Sequence, residues 1–479
     1  MAWGLYKIAV NMKDRFQKQI LTVLCLMMVM GACKVTKTYE RPDLKTGALY
    51  RDQTSIDTTS MASMPWKDLF RDTTLKDLIQ EGLDHNLDLK SAMQNIIQAQ
   101  ATLRQSRMAF IPSLTAEASA QRNKTSEAGL NFPPGIDINT LTNTYVLQLS
   151  TSWEADIWGK LSSSKRAALA AYLQTDAAKR AVQTRLIADI ANNYYALMAL
   201  DRQLEITELT LKKRIETVET MKALKEGAVV NGAAVVQSEA NRYAAEVFIP
   251  DLKQSIRITE NVISLLLSRT PGSINRSKLA DQHPLTHLKL GVPAQLLVNR
   301  PDVQAAEFAL RASFEDTNLA RTYFYPALTL TARAGFSNLE LKDFFTNAFF
   351  YNLLGGLTQP IFAQGANRAR LTRAQSVQVQ TFNDFQQTLL IAGQEVSDAL
   401  HAYQTASEKE SSRGKQIAAL QKAVEFTEEL LRYSSATNYT DVLTSEQSLL
   451  AAQLDAVNDK LQKLQAVVNL YQALGGGWK

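Results

Sequence analysis

Asp84-His85-Asn86-Leu87-Asp88-Leu89, a helix-like stretch, then Phe110-Ile111-Pro112-Ser113-Leu114-Thr115 is one passage of this chain. It is answered later by Asn299-Arg300-Pro301-Asp302-Val303, a similar stretch, and Phe324-Tyr325-Pro326-Ala327-Leu328-Thr329. One common offset aligns Asp88 with Asp302 and Pro112 with Pro326. Each copy continues through a second alternating segment into a very long helical run, a short break and a shorter helix. A tandem pair of large strand-and-helix units sets the architecture. The chain divides into a signal segment (1–32), an extended segment (33–72), a first repeat (73–274), a linker (275–292) and a second repeat (293–479).

No glycine or proline occurs from Lys160 to Glu226. At about 1.5 Å per residue such a run makes a rod on the order of 100 Å, far longer than an ordinary globular helix. Leu197, Leu204, Leu211 and Val218 recur at every seventh position. The second copy runs from Ala366 to about Ser434, interrupted only by Gly393 and Gly414. Near the C-terminus, Leu450, Leu454, Val457, Leu461, Leu464, Val468 and Tyr471 alternate by four and three, a heptad seam. Breaks at Gly227-Ala228-Val229-Val230-Asn231-Gly232 and Ser434-Ser435-Ala436-Thr437-Asn438-Tyr439 turn each long helix into a hairpin. The return helices are expected near Val235 and Val442, with Pro250 inside the first.

The segments after Pro112 and Pro326 alternate in another period. Leu114, Ala116, Ala118 and Ala120 oppose Thr115, Glu117, Ser119 and Gln121. Tyr145, Leu147, Leu149, Thr151, Trp153 and Ala155 oppose Gln148, Ser150, Ser152, Glu154 and Asp156. Leu328, Leu330, Ala332, Ala334 and Phe336 oppose Thr329, Thr331 and Arg333. Strands are expected at about 112–122, 144–157, 326–337 and 351–362. Ten-residue strands, apolar outward and polar inward, suit a transmembrane barrel; a half-buried sheet in a soluble domain has the same alternation. Four strands cannot close a barrel, and lipid does not tolerate open sheet edges. Three chains would supply twelve strands, enough for a water-filled lumen, and six helical hairpins for a tube below it. The expected class is mainly α with a transmembrane β-barrel.

Targeting signals agree with export. Lys7, Lys13, Arg15 and Lys18 precede an apolar run from Ile20 to Met30, which ends in Met30-Gly31-Ala32-Cys33. Small residues before a cysteine resemble a bacterial lipoprotein signal, with Cys33 lipidated as the mature first residue; a plain secretory signal is the alternative. Met12 would give a more ordinary signal length as the start. Cys25, the only other cysteine, lies within the apolar run, so a mature chain beginning at Cys33 has no disulfide framework. The chain carries 52 basic and 47 acidic residues. The signal removes Lys7, Lys13, Arg15, Lys18 and Asp14, leaving a nearly neutral chain with no basic patch for nucleic acid. No later stretch offers an apolar run of about 20 residues, so a membrane role must use strands.

Further residues carry a family resemblance. They are Trp66-Lys67-Asp68-Leu69-Phe70 with Leu75, Leu78, Ile79, Leu83, Asn86 and Asp88; Phe110-Ile111-Pro112; and Trp153-Glu154-Ala155-Asp156-Ile157-Trp158-Gly159. Asn299-Arg300-Pro301-Asp302, Phe324-Tyr325-Pro326, Pro360-Ile361-Phe362 and Val468-Asn469-Leu470-Tyr471-Gln472-Ala473-Leu474-Gly475-Gly476-Gly477-Trp478 complete the set. In this order the chain resembles the TolC/OprM-like outer membrane factors, closest to the lipidated NodT-type branch serving resistance-nodulation-division pumps. The resemblance implies a homotrimeric, lipid-anchored channel in the outer membrane that extends into the periplasm. It implies a periplasmic adaptor and an inner-membrane pump as partners, and small molecules (drugs, toxic compounds or metals) as cargo.

In that family the hairpin tips close the periplasmic end. The resemblance places the aperture at Tyr433, Thr437, Asn438 and Asp441, and adaptor-contacting tips at Gly227, Asn231, Gly232 and Ser435. Family members commonly carry glycine and an acidic residue where this chain has Ala436, Thr437 and Asn438, which puts an aspartate ring in doubt. Asp441 either substitutes or caps the return helix; Tyr433 either braces neighbouring hairpins or packs in the core. Catalysis finds no support, since His85, His283, His287 and His401 are scattered and no P-loop or His-Glu-x-x-His occurs. No cofactor is expected. Two alternatives stay open: a type I protein-secretion duct, and a lipid-anchored coiled-coil scaffold without a pore.

Overall fold

A computed structural model describes residues 35–44, 46–47, 49–51, 58–126, 140–284, 288–433 and 439–479. The signal segment, Cys33 and the second hairpin turn at 434–438 lie outside them. The main elements are α1 (Thr73–His85), α2 (Leu87–Met108), β1 (Ser113–Lys124), β2 (Leu141–Ala155), α3 (Lys160–Glu226) and α4 (Gly232–Leu266). They continue as α5 (Pro301–Thr322), β3 (Ala327–Asn338), β4 (Phe349–Thr358), α6 (Ala366–Tyr433) and α7 (Tyr439–Ala473). The copies match in length: α2 and α5 have 22 residues each, α3 and α6 have 67 and 68, and α4 and α7 have 35 each. Among the described residues no helix is long and apolar enough to cross a membrane.

Contacts resolve the chain into two compact units. The first holds the described residues up to Pro42, with Ala99–Tyr172 and Ala309–Phe382; the second holds Asp43–Gln98, Leu173–Phe308 and Asn383–Lys479.

In the first unit the four strands form one antiparallel sheet in the order β1-β2-β3-β4, so β1 and β4 each leave one edge unpaired within the chain. The register decides the character of its faces. Ala116 pairs with Leu149, Leu149 with Ala334, and Ala334 with Tyr351; the next row is Ala118, Leu147, Phe336 and Phe349. This face stays mainly apolar along the sheet until its far end, where Arg122 and Lys124 lie. The intervening rows carry Glu117, Gln148, Ser150, Arg333 and Asn352. Large residues on the apolar face are exposed in the single chain, among them Leu114, Leu149, Tyr351 and Leu353.

The Trp153–Gly159 motif fastens this sheet to its helices. The Trp153 indole donates to the Phe110 carbonyl at 3.0 Å, and the Trp158 indole donates to the Pro326 carbonyl at 2.8 Å. Asp156 accepts from the Leu161 and Ser162 amides at 2.8 and 3.0 Å, satisfying the first turn of α3. That turn ends β2 at Ala155, two residues before the expected 157. β4 stops at Thr358 rather than near 362, since Pro360 has no amide to give a ladder. Glu315, 3% exposed, accepts from Arg166 at 2.8 Å. Beside it the Asn318 side chain pairs with both the amide and the carbonyl of Lys37, at 3.0 and 2.8 Å.

In the second unit two distant motifs meet. Arg300, with 8% of its side chain exposed, donates to Asp302 and Glu395 at 2.5 Å each and to the Ala473 carbonyl at 3.1 Å. Gly475 has φ +88, and a Cβ there would lie 2.4 Å from the Asn299 carbonyl oxygen, so only glycine lets the chain fold back onto that turn. The Trp478 indole then donates to the same carbonyl at 2.9 Å. Asp72 caps α1 through the Thr74 and Leu75 amides and also accepts from the Tyr194 hydroxyl and Gln282, both at 2.9 Å. Arg276 joins Asp201 and Glu260, tying the inter-repeat segment to α3 and α4.

Arg300→Ala is expected to cost about 2–3 kcal/mol, the low end for a broken buried network because Asp302 and Glu395 keep partial access to water. Urea titration followed by tryptophan fluorescence measures it; a variant within about 0.5 kcal/mol of wild type removes the network from the stability of this unit.

Candidate functional site

The turns of the two hairpins are where the sequence places the moving parts, and the second unit holds both. α3 ends in a tight reversal. The Gly227 amide donates to the Ala223 carbonyl at 3.1 Å, the Ala228 amide to Lys225 at 3.0 Å and the Val229 amide to Leu224 at 2.9 Å. Ala228 takes φ +57, the left-handed residue that ends many helices. Asn231 then caps α4, its side chain accepting from the Ala234 amide at 3.1 Å. That cap starts the helix at Gly232, three residues ahead of Val235. Gly227 and Gly232 are uncrowded: a Cβ would come no nearer than 3.6 and 3.9 Å to other atoms. Among the described residues nothing requires glycine at either position.

Of the residues assigned to the aperture, Asp441 lies exposed in the first turn of α7, and Tyr433 is the last residue of α6. Thr437 and Asn438, with Ser435 from the adaptor-facing set, lie outside the described residues. α7 begins at Tyr439, ahead of the expected Val442. The hairpins meet through a buried apolar cluster of Met221, Val235, Tyr439 and Leu443, with Leu224, Val230, Ala234 and Leu431 packed around it.

Beyond this cluster lies a polar layer that sequence reading missed. Arg214 of α3 is buried, 6% exposed, and donates through Nη1 to the Asn241 carbonyl of α4 at 2.6 Å. Its Nε has no partner among the described residues. Asn241 also accepts from Gln447 of α7 at 3.2 Å. Burial raises the pKa of the Tyr439 hydroxyl, and the neighbouring Asn241 and Ser238 side chains oppose the rise. Glu446 of α7 lines two cavities of about 200 and 150 Å³, the first shared with Arg214 and the second with Glu428.

Electrostatics in this layer are unresolved charge rather than a closed salt bridge. Burial pushes the Glu446 carboxyl up, Glu428 adds to the rise, and Arg214 and Lys213 oppose it. Burial likewise pulls the Arg214 guanidinium down, with Glu446 and Tyr439 opposing. Desolvation is the largest cause on both partners, so the pair loses more to burial than it recovers from attraction. The signal was present in the sequence: Arg214 lies at the inward three-residue spacing between Leu211 and Val218.

Comparison with known proteins places this architecture. The model of the family described as outer membrane efflux protein matches residues 78–269 and 292–476. The Pseudomonas putida protein named as probable efflux pump outer membrane protein TtgC is 28% identical over 476 residues, covering 96% of each chain. The Escherichia coli cation efflux system protein CusC is 27% identical over 465 residues, 95% of this chain and 98% of that one. Among solved structures, the open-state MtrE outer membrane channel of Neisseria gonorrhoeae superposes with a TM-score of 0.82 at 26% identity, over 93% of this chain and 99% of that one. A CusC crystal structure superposes with a TM-score of 0.81 at 26% identity, over 93% and 100%. The two matched stretches together span most of the chain, and the chain belongs to the outer membrane efflux protein family.

Proposed function

We propose that this protein is the outer-membrane channel of a tripartite efflux system, a passive exit duct for small molecules across periplasm and outer membrane. The observation that carries the proposal is the two-faced sheet with both edges open. An apolar face of that breadth belongs in lipid, and the unpaired amides and carbonyls of β1 and β4 must then be paired by other strands. Three copies give a closed twelve-stranded barrel with the Glu117, Gln148 and Arg333 rows turned to water. The helical hairpins continue the duct as a tunnel in the periplasm. Cys33 carries the lipid anchor; in support, Thr36 lies against Gly159, directly after β2, so the described chain starts beside the base of the sheet.

A periplasmic adaptor and an inner-membrane pump of the resistance-nodulation-division type supply specificity and drive. Gly227, Asn231, Gly232 and Ser435 meet the adaptor, and the bare backbone at the uncrowded glycines favours close approach of another helix. Tyr433, Thr437, Asn438 and Asp441 line the closed aperture. Opening separates the hairpin ends at the contact that contains Arg214 and Glu446. The relatives' names point to antibiotics, solvents such as toluene, or cations as cargo. A channel of this kind has no reaction to catalyse.

Planar-bilayer recording tests the proposal. The purified protein should form heat-modifiable trimers and stepwise ion conductance; a detergent-independent monomer without conductance overturns the reading. In the same assay Asn438→Ala or Asp441→Ala should raise closed-state leak, and unchanged gating takes those residues out of the aperture.

Leu149→Arg should lower the yield of assembled trimer, since a cation near the bilayer midplane costs about 2–4 kcal/mol. Its neighbour Ser150→Arg should assemble normally and alter ion selectivity. Equal assembly defects in both would refute the assignment of faces.

Glu446→Gln tests the hairpin contact. A carboxyl with a raised folded pKa binds more protons folded than unfolded, so its penalty grows as pH rises from the ordinary carboxylate range through the raised value. The contact should therefore weaken toward neutral pH in wild type, and the variant should be the more stable at pH 7 with a flatter profile. Limited proteolysis of the tips across pH reads this; parallel profiles would remove Glu446 from the contact.

A further inference from the structure

The sheet's apolar face is charged in one place only. Among the described strand residues, that face carries Arg122 and Lys124 and no carboxylate; Glu117 and Glu154 belong to the other face. Successive rows work as a depth scale. Ala118, Leu147, Phe336 and Phe349 form an apolar row; Ala120, Tyr145 and Asn338 follow; then come Arg122 beside Asn143 and Lys124 beside Leu141. Rows on one face are two residues apart, about 7 Å along a strand, or about 5 Å in depth at the tilt of a membrane barrel. Arg122 therefore sits one row beyond the tyrosine level and Lys124 two rows beyond it. At the opposite end the rows hold Trp153, Leu330 and Gly355, then Ala155, Leu328 and Leu357, with no cation.

Resting on the membrane reading above, in which the helices lie on the periplasmic side and the ends of β1 and β2 remote from them therefore face outward, we propose that Arg122 and Lys124 form a binding site for the phosphorylated headgroup of outer-leaflet lipopolysaccharide, its lipid A. Two cations at phosphate depth on a face free of carboxylates complement a lipid bearing phosphomonoesters. At the same end of the sheet Phe336 packs edge-on to Phe345 and Phe349, with centroids 5.1 and 5.9 Å away, an apolar surface for acyl chains. Closing the barrel sets β4 of the next copy beside β1, so its phenylalanines flank the two cations. Each trimer then holds three such sites. Both residues join the ladder through their backbones, opposite Asn143 and Leu141, which leaves their side chains to specialise.

The test uses the assembled full-length protein in mild detergent, with purified diphosphoryl lipid A, monophosphoryl lipid A and phosphatidylglycerol as probes. Wild type should retain diphosphoryl lipid A in native mass spectrometry, more weakly as salt rises. R122Q/K124Q should bind it about tenfold or more weakly, R122K/K124R should keep binding, and monophosphoryl lipid A should be intermediate. Trimer content and bilayer conductance of both variants should match wild type. Equal lipid A binding by an intact R122Q/K124Q channel overturns the site, as does phosphatidylglycerol bound as tightly as lipid A by wild type. A wild-type protein that neither trimerises nor conducts defeats the membrane reading itself, and the site with it.

Discussion

Backbone polar groups have no water to turn to in hydrocarbon, and the rest of this structure follows from that. One chain supplies four strands, a broad apolar face and two unpaired edges. Among the described residues neither edge is covered by a helix, as a sheet edge in water often is. The strands are therefore a fragment of a closed object. The motif at Trp153–Gly159 serves that object by fixing where each ladder ends: its indoles hold the carbonyls of Phe110 and Pro326, the two places where a helix gives way to a strand.

Duplication solves a second problem. A helix of 67 or 68 residues cannot bury a continuous seam against itself and needs neighbours along its whole length. Two copies of one hairpin provide them, and Met221 and Val235 of the first meet Tyr439 and Leu443 of the second. The copies are not interchangeable there. At the offset that pairs Ser238 with Ser445, Arg214 corresponds to Gln421 and Glu446 to Glu239. At this position a buried arginine thus occurs in the first repeat alone, so a ring of six hairpins would alternate two kinds of contact.

Much of this was legible in the chain. The glycine- and proline-free run from Lys160 fixed the long helix, and period-two alternation sorted the strand faces residue by residue. Element ends were less legible, because they depend on short-range polar caps. Asp156 stops β2 by turning to cap α3, and Asn231 starts α4 early; both are local polar choices that hydrophobic period does not encode. Least legible were the tertiary meetings. Asn299-Arg300 and Gly475–Trp478 were recognisable as separate motifs, yet only folding shows that the glycines exist to admit the Asn299 carbonyl. The hairpin tips were placed by resemblance, and the polar layer beneath them was overlooked because one arginine barely disturbs a heptad count.

The two buried arginines of the second unit explain why one part of it holds and another can part. Arg300 spends its donors on two carboxylates and a carbonyl, so removing it strands charge and the turn it anchors is fixed. Arg214 has one firm acceptor, an Nε without a partner among the described residues, and nearby the Glu446 carboxyl whose pKa burial raises. Breaking that contact returns both groups to water, which offsets part of the apolar area lost. In the proposed opening, such an interface would be closed by packing and loosened by solvation, which keeps the gap between the two states small. Such a gap is what a gate requires, since a partner can shift an equilibrium only by its differential affinity for the two forms.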